Sequence, residues 1–440
     1  MKVSDYVVSF LEDCGVKDVF MLSGGGAMHL NDSIGNSNKV KYTCCLHEQA
    51  CVFAAESYAR STNTLGVTIV TTGPGATNVV TGIAASWIES TSLFVISGQV
   101  KCADLMTGTG VRQMGVQEVD IVSIVKPITK YAVMITEPQM IRYELEKCIF
   151  LAKNGRPGPV LLDIPLDIQA SRVDVSSLDG YTPEISSSEL SYNIEDDIEA
   201  VGKLLQSAKR PVIYAGAGVS LSGAKEEFLS LIDKLNIPVV TTWNGMDLIW
   251  EDHPMYVGRP GAIGQRAANF VIQNSDLLLT IGTRLSFLQT GFNFQSYAEK
   301  AKLIMVDIDP AELDKKYLHP HMKIKSDAKY FINKLLELDI KLNDHSDWIR
   351  QCKEWNQKYP ILNPNWEISE EYANSYYLVD VISSQMQSED IYCGGRAGTC
   401  IDTIIHAFKV KKGQQVLATK GLSSMGYGLP AAIGAAIANP

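Results

Sequence analysis

The sequence predicts an α/β protein built on parallel sheets, and two observations carry this prediction. Short apolar runs rich in β-branched residues, such as 66–71 and 276–281, alternate with stretches of helical periodicity along most of the chain. The length of 440 residues corresponds to about three domains of ordinary size. Because strands that alternate with helices pair in parallel, we expect three consecutive parallel-sheet α/β domains.

The composition excludes several other classes of protein. Hydrophobic residues make up 46% and charged residues 20% of the chain, as in globular proteins. The net charge of −10 disfavours a nucleic-acid surface, which is normally basic. The longest apolar stretch near the end, 429–438, is about ten residues long and too short to span a bilayer. We therefore expect a cytoplasmic protein with neither a nucleic-acid nor a membrane partner.

The first block of alternating elements ends near Gln169. A helix at its start has a glycine directly after it, and later helices are separated by apolar strands. The predicted elements are helix Val3–Cys14, strand Asp18–Leu22, helix Glu48–Ser61, strand Gly66–Thr71, helix Ala76–Ser86 and strands Leu93–Ile96 and Pro159–Leu162.

Changes in composition predict the domain borders. Residues 170–192 are rich in serine and contain glycine and proline, as linkers do. A second α/β block over 193–340 and an irregular linker over 341–370 follow, and a third block over 371–440 has too few residues for the unit that it begins. The second block contains predicted strands Val212–Ala215, Pro238–Thr242, Asp276–Ile281 and Lys302–Val306 and helices Gly223–Leu235 and Ala267–Gln273.

Two short motifs in the first block could carry chemistry. Glu48 opens a predicted helix, where the helix dipole favours a carboxylate, so a purely structural role stays open. The sequence Gly73-Pro74-Gly75 joins a strand to a helix, and such a glycine turn either accepts a close ligand or only makes a tight connection.

Four motifs in order resemble the thiamine-diphosphate enzymes of the acetolactate synthase group. They are His47-Glu48-Gln49-Ala50, then 73–78 (Gly-Pro-Gly-Ala-Thr-Asn), 155–165 (Gly-Arg-Pro-Gly-Pro-Val-Leu-Leu-Asp-Ile-Pro) and 421–434, which contains Ser-Met-Gly-Tyr-Gly. The resemblance covers essentially the whole chain. It implies a pyrimidine-binding domain over 1–169, a central Rossmann-like domain over 193–340 and the start of a diphosphate-binding domain over 371–440.

The resemblance also implies roles for individual residues. Glu48 matches the glutamate that hydrogen-bonds a ring nitrogen of the cofactor, and Met425 matches the apolar wedge between the two cofactor rings. The Ser423 carbonyl would accept a hydrogen bond from the aminopyrimidine, and Gln117 would orient substrate. Further thiamine-diphosphate contacts are implied for Pro74, Asn78, Gly395 and Arg396, where Arg396-Ala397 replaces the family's Gln-His.

Two neighbouring positions bear on the substrate. Val116 stands where the family has phenylalanine, which would widen the acceptor space. Lys130 lies in a segment that also matches the family, and we expect it on a solvated face.

The central block carries a second candidate cofactor site. Gly216-Ala217-Gly218 follows a strand, but a lone Gly-x-Gly is a weak dinucleotide signal and the sixth position is Leu221. The resemblance implies flavin adenine dinucleotide (FAD) contacts, while a vestigial empty domain or another nucleotide stays open. The implied contact residues are Gly216, Ala217, Gly218, Thr242, Gly258, Gly282, Arg284, Asp307 and Ile308.

The implied activity is decarboxylation of pyruvate or a related 2-oxo acid with carboligation to a carbonyl acceptor, in a homodimer or homotetramer. The family's magnesium motif, Gly-Asp-Gly followed by asparagine, would lie beyond Pro440, so no Mg²⁺ ligand is expected within the chain and weak cofactor binding is expected of it alone. The alternatives are a 2-oxo acid decarboxylase or diketone hydrolase of the same family, or a non-catalytic, truncated FAD- or nucleotide-binding scaffold.

Overall fold

The computed structural model describes residues 1–183, 193–363, 365–366, 371–395, 398–418 and 420–440. The chain divides into two compact units, Met1–Glu184 together with Lys420–Pro440, and Ile185–Thr419. The domain borders proposed from composition stay predictions. The α/β class with parallel sheets is confirmed by both units.

The first unit is built on a six-stranded sheet in which every neighbouring pair is parallel. The strand order is β2-β1-β3-β4-β6-β5. The strands are β1 (Asp18–Met21), β2 (Lys41–Cys44), β3 (Gly66–Val70), β4 (Leu93–Gln99), β5 (Tyr131–Met134) and β6 (Pro159–Pro165).

Apolar side chains cover both faces of this sheet. Phe94 and Ile96 of β4 pack into one hydrophobic cluster, while Leu93 and Val95 pack into another. This alternation follows from the two-residue period of a strand, which sends neighbouring side chains to opposite faces. Helices must therefore cover both sides, which explains the near-continuous apolar strands of the sequence.

The helices of the first unit confirm most of the predicted ones. The predicted helix Ala76–Ser86 is wrong, because the chain forms two helices there, and the first ends with Asn78 as its C-cap. The helices are α1 (Val3–Asp13), α2 (Met28–Gly35), α3 (Glu48–Thr62), α4 (Pro74–Thr77), α5 (Val80–Glu89), α6 (Ile121–Val125), α7 (Ile141–Lys153) and α8 (Leu166–Ala170).

The second unit contains another all-parallel six-stranded sheet, in the order β12-β11-β10-β7-β8-β9. Counted from its own first strand, this is the doubly wound order 3-2-1-4-5-6 in reverse direction, which has a topological switch point between β7 and β10. The strands are β7 (Pro211–Ala215), β8 (Val239–Thr241), β9 (Tyr256–Gly258), β10 (Leu277–Ile281), β11 (Lys302–Asp307) and β12 (Met322–Lys325).

Helices flank this second sheet, and a smaller pair of strands follows it. The helices are α9 (Glu195–Ser207), α10 (Gly218–Leu221), α11 (Lys225–Leu235), α12 (Arg266–Asn274), α13 (Phe287–Thr290), α14 (Pro310–Leu313), α15 (Ala328–Glu337) and α16 (Ser346–Lys358). The smaller part comprises parallel strands β13 (Ile391–Cys393) and β14 (Gln415–Leu417) with helices α17 (Ser375–Gln385) and α18 (Thr399–Ala407).

The last helix, α19 (Gly428–Ala438), belongs to the first unit and packs against α3. Their backbones approach closely, since a Cβ atom on Gly434 would overlap the carbonyl oxygen of Ala54. None of the helices in the described part of the chain has both the length and the apolar character of a membrane span.

Candidate functional site

The candidate site in the first unit begins at the N-terminus of α3. His47 is the N-cap, and its Nδ1 accepts a hydrogen bond of 3.1 Å from the backbone N–H of Gln49. Glu48 is the first residue of the helix and is buried. A helix N-terminus stabilises a carboxylate by about 0.3–1 kcal/mol, so an acidic side chain suits the first position of α3.

A second helix end holds the Glu48 carboxylate in place. Nδ2 of Asn78, the C-cap of α4, donates a hydrogen bond of 2.9 Å to Oε2 of Glu48. A Cβ atom on Gly75, in the same short helix, would lie 3.5 Å from Oε1 of Glu48. The glycine turn that the sequence singled out therefore lies directly beside the predicted catalytic acid.

The loop that carries Gln117 reaches this same turn. A Cβ atom on Gly73 would overlap the carbonyl oxygen of Gln117, and Gly73 has a φ of 62°. Gln117 itself has a φ of 63°, in the left-handed region that non-glycine residues rarely adopt. Backbone strain of this kind occurs frequently at functional sites. The Gln117 side chain is exposed beside the glycine turn.

Glu118 holds the Gln117 loop together from inside. Its carboxylate accepts hydrogen bonds of 3.0 Å from the backbone N–H groups of both Met114 and Gly115, and it also accepts one from Met106. Burial acts to raise the pKa of Glu118, but these backbone donors outweigh burial and lower the pKa. A buried, ionised glutamate is thus the organising group of the loop.

The segment before α19 brings the predicted wedge residue to the same helix end. The carbonyl oxygen of Met425 accepts a hydrogen bond of 3.5 Å from Nε2 of Gln49, and the Met425 side chain is 81% exposed. Ser423 has a φ of 57°, and its hydroxyl donates to the carbonyl of Lys420 at 3.0 Å. The chain therefore bends sharply where the resemblance requires a carbonyl and an apolar side chain to face the cofactor.

Contacts along α3 hold this segment in place. The Ser57 hydroxyl donates to the carbonyl of Ala431 at 2.7 Å, and the rings of Phe53 and Tyr427 meet edge to face at 5.3 Å. A further contact comes from the end of α5, where the carboxylate of Glu89 accepts from the backbone N–H of Gly421 at 3.0 Å. Residues 421–434, predicted as a motif of another domain, thus pack on the helix that begins with Glu48.

These residues fit thiamine diphosphate in kind. A carboxylate that uses one oxygen for Asn78 can offer the other to a ring nitrogen, and glycine at 75 leaves space beside that oxygen. An exposed thioether at Met425 suits contact with an aromatic heterocycle. The structure brings together Glu48, Pro74, Asn78, Gln117, Ser423 and Met425 in the first unit.

The two residues predicted for the diphosphate are Gly395 and Arg396. Gly395 follows β13 in the second unit, and a Cβ atom on it would overlap the Sγ of Cys400. Arg396, with Ala397, lies outside the described residues. Among the described residues there is no group of three or more His, Cys, Asp or Glu side chains suited to hold a metal ion.

The candidate flavin residues of the second unit all follow the carboxyl ends of its parallel strands or lie within the last residues of those strands. This is the edge at which doubly wound sheets bind ligands, and Gly216 and Gly282 flank the switch point between β7 and β10. The set comprises Gly216, Ala217 and Gly218 after β7, Thr242 after β8, Gly258 in β9, Gly282 and Arg284 after β10, and Asp307 and Ile308 at β11.

The glycines of this edge also have a purely structural explanation. A Cβ atom on Gly216 would overlap the carbonyl oxygen of Gly282, and one on Gly218 would lie 2.6 Å from the Cα of Gly282. The backbone N–H of Gly218 donates to that same carbonyl at 3.0 Å. Glycine is therefore required at these positions by two loops in backbone contact, with or without a nucleotide.

The structure corrects one prediction from the sequence and adds two buried polar residues near the site. Lys130 does not lie on a solvated face, because its Nζ donates to the carbonyl of Arg156 at 2.8 Å, and burial lowers the pKa of the amine to about 8. Gln99 and Asp163 are buried near the carboxyl ends of β4 and β6, and they are not among the site residues predicted from the sequence. A polar residue inside an otherwise apolar strand is the feature of the sequence that could have identified them.

Comparison with known proteins extends these observations. Residues 1–124 match the family described as thiamine pyrophosphate enzyme, N-terminal TPP binding domain. Residues 198–335 match its central domain, and residues 397–440 match its C-terminal TPP binding domain.

Similar proteins from three organisms align along nearly the whole chain. The chain is 34% identical to a probable acetolactate synthase large subunit of Methanocaldococcus jannaschii, over 100% of this chain and 74% of that protein. It is 35% identical to acetolactate synthase 2, chloroplastic, of Zea mays, over 100% of this chain and 68% of that protein. It is 34% identical to the acetolactate synthase large subunit of Corynebacterium glutamicum, over 99% of this chain and 68% of that protein.

Proposed function

Because the chain belongs to the acetolactate synthase family of thiamine pyrophosphate enzymes, we propose that it decarboxylates pyruvate or a related 2-oxo acid and joins the remaining fragment to a carbonyl acceptor. The observation that carries the proposal is the buried Glu48 carboxylate, which lies at a helix N-terminus and is fixed by Asn78 at 2.9 Å. When bound, thiamine diphosphate supplies the nucleophilic carbon and the electron sink for this chemistry.

The protein's own contribution begins with proton handling. Glu48 would hold a hydrogen bond to a nitrogen of the cofactor's pyrimidine ring, a position from which a carboxylate can share a proton. Asn78 keeps Oε2 of that carboxylate occupied, so Oε1 is the oxygen available to the ring. The Ser423 carbonyl and the Met425 side chain would hold the ring from the other segment, and Pro74 would border it.

Substrate would be oriented from the Gln117 loop. The side chains of Val116 and Gln117 are both exposed, and the backbone of Gln117 lies beside Gly73. A β-branched residue at Val116 leaves more room than an aromatic ring would, which supports an aldehyde or a keto-sugar as acceptor beside pyruvate. Gly395 and Arg396 are proposed for the diphosphate, together with Mg²⁺.

A flavin is a second proposed ligand, in the second unit. The support is the doubly wound strand order and the position of the nine candidate residues at one edge of the sheet. FAD that co-purifies with the protein and is released on denaturation would support this proposal. Protein that stays colourless after incubation with excess FAD would contradict it.

A homodimer or homotetramer is also proposed. Four large apolar side chains of the first unit, those of Leu46, Val116, Met425 and Leu429, are among its most exposed, which is typical of a surface that another chain covers. Light scattering coupled to size-exclusion chromatography measures the mass directly. A monomer at all concentrations would contradict this proposal without bearing on the cofactor.

The activity is tested by incubating the protein with pyruvate, thiamine diphosphate and Mg²⁺, with and without an added aldehyde. Carbon dioxide together with a branched hydroxy-keto product is the expected result. Carbon dioxide with free acetaldehyde and no ligation product would favour a simple decarboxylase. Cleavage of a supplied diketone would favour a hydrolase, and no product from any substrate would favour a non-catalytic scaffold.

A further inference from the structure

A buried polar network lies beneath the glycine turn and the Gln117 loop, and its centre is Gln99. The two donors and the acceptor oxygen of the Gln99 amide are all used. Its Oε1 accepts from the Thr72 hydroxyl at 2.8 Å and from the backbone N–H of Val100 at 2.9 Å. Its Nε2 donates to the carbonyl of Val119 and to Oδ2 of Asp163, both at 2.9 Å.

The two ends of this amide reach the two loops of the candidate site. Thr72 directly precedes Gly73, and its carbonyl accepts from the backbone N–H of Gly75 at 3.3 Å. Val119 lies two residues after Gln117. One side chain, 2% exposed, therefore connects the turn beside Glu48 with the loop that carries Gln117.

The partners of the Gln99 amide determine which way it points. The Val119 carbonyl and an ionised Asp163 carboxylate only accept hydrogen bonds, so both require the amino group of Gln99. The backbone N–H of Val100 only donates, so it requires the amide oxygen. The Ser97 hydroxyl occupies the other carboxylate oxygen, Oδ1, at 2.7 Å. A reversed amide would set two acceptors against each other at Asp163 and would leave Thr72 without its acceptor.

We propose that Gln99, oriented by Asp163 together with the backbone of Val100 and Val119, is a positioning residue that holds the 72–75 turn and the Gln117 loop in the arrangement that the cofactor and substrate require. This inference rests on the proposed function for its consequence in catalysis. The positioning itself is a property of the protein without ligand.

The charge of Asp163 can be varied experimentally. Burial raises the pKa of Asp163 to about 7, and the negative charge of Asp120 acts in the same direction, while the hydrogen bonds from Ser97 and Gln99 oppose both. Opening of this network would return the Asp163 carboxyl to water, where it loses its proton more readily. The turn and the loop are therefore expected to loosen as the pH rises through neutrality.

Hydrogen exchange of the full chain without cofactor tests the proposal. Peptides that cover residues 72–78 and 113–119 are followed in Gln99→Met, Asp163→Asn and Thr72→Val, with exchange corrected for the intrinsic effect of pH. Gln99→Met is expected to speed exchange about 5- to 10-fold in both peptides, the effect of losing one hydrogen bond. Thr72→Val, which removes only the link to the turn, is expected to affect 72–78 and leave 113–119 unchanged.

The pH dependence of hydrogen exchange is a second measurement, and a purely structural role of Gln99 would not change it. In the unsubstituted protein, protection of both peptides should decrease between pH 6 and pH 8, and in Asp163→Asn it should not change. Gln139→Met and Asp13→Asn, at exposed positions, are the matched controls. Exchange in all three network variants equal to that of the controls would overturn the proposal.

The experiment distinguishes failure of the positioning proposal from misfolding of a variant and from failure of the proposed function. If Gln99→Met does not fold, Thr72→Val still tests the link to the turn, because it removes one hydroxyl and keeps the shape of the side chain. In assays with thiamine diphosphate and Mg²⁺ present, the variants should lower kcat for the 2-oxo acid more than they raise KM. Altered exchange with no turnover in any form, including the unsubstituted protein, would contradict the proposed function alone.

Discussion

Nδ2 of Asn78 donates a hydrogen bond of 2.9 Å to Oε2 of Glu48, across 30 residues of sequence. The donor caps the end of one helix, and the acceptor is the first residue of another. This contact fixes a buried carboxylate at a position where the helix dipole already favours its charge. It joins two motifs that the sequence shows only as separate segments.

Replacing Glu48 by glutamine tests the proton-sharing role. Glutamine keeps the size of the side chain and an oxygen for Asn78, but it cannot exchange a proton at neutral pH. We expect Glu48→Gln to lower kcat by about 10²–10⁴-fold, with a melting temperature close to that of the unsubstituted protein. Glu137→Gln, at an exposed position, is the control, and equal kcat values in the two variants would contradict the role.

Two substitutions of Asn78 separate loss of a donor from introduction of a charge. Asn78→Ala removes one hydrogen bond to a charged group, worth about 1.5–3 kcal/mol, although partial exposure reduces the value. Asn78→Asp places a second carboxylate against Glu48, so we expect it to lower both kcat/KM and the unfolding free energy further than Asn78→Ala. Urea unfolding and steady-state kinetics measure the two effects. A more active aspartate variant would show that Asn78 does not act on an ionised Glu48.

Gly434→Ala probes the packing of α19 on α3. The added methyl group would overlap the carbonyl of Ala54, a backbone atom that cannot turn aside. We expect destabilisation of about 1–3 kcal/mol. Gly35→Ala, where nothing lies within 4 Å, is the control and should be neutral or stabilising. Equal urea midpoints for the two variants would mean that the helices are not in close contact.

Arg259→Met should destabilise the second unit. The buried guanidinium donates to the carbonyls of Ile405, His406 and Phe408 at the C-terminus of α18 and lies 3.6 Å from Glu251. Its removal leaves three carbonyls and the half-buried Glu251 carboxylate without this partner, which costs about 3–5 kcal/mol. Denaturant unfolding measures the loss. Arg350→Met removes an arginine from an exposed pair and should change stability by less than about 1 kcal/mol.

The unfolding free energy should depend on pH through Asp163. The native carboxyl keeps its proton to about pH 7, whereas an unfolded aspartate loses it near pH 3.9. Between these values the native state binds more protons, so its stability falls as the pH rises. About three pKa units correspond to at most about 4 kcal/mol.

Asp163→Asn is the test of this dependence. Urea unfolding at pH 5 and pH 8 should show a smaller loss of stability for the variant than for the unsubstituted protein. Asp13→Asn, at an exposed position, should keep the full dependence. Parallel pH curves for all three proteins would assign the dependence to other groups.

The α/β class could be predicted from sequence because strand and helix periodicities are local. Alternation of apolar runs with helical patterns depends only on neighbouring residues, and both six-stranded parallel sheets confirm it. The break between α4 and α5 lies at Asn78, whose side chain bonds to the distant Glu48, and no local pattern in the sequence predicts that contact. Lys130 was misjudged for the same reason, since its carbonyl partners come from a distant loop.

By itself, the sequence determined the fold class, the family and the residues that could carry chemistry. Motifs such as Gly73-Pro74-Gly75 and Ser423–Gly428 express local backbone requirements, which residue types record directly. Only the tertiary structure decided which of them meet. Met425 reaches the end of α3 because α19 packs on that helix, and Gln99 joins two loops because three strands end at one edge of a sheet. Contacts of this kind depend on packing between distant segments, and no local pattern encodes them.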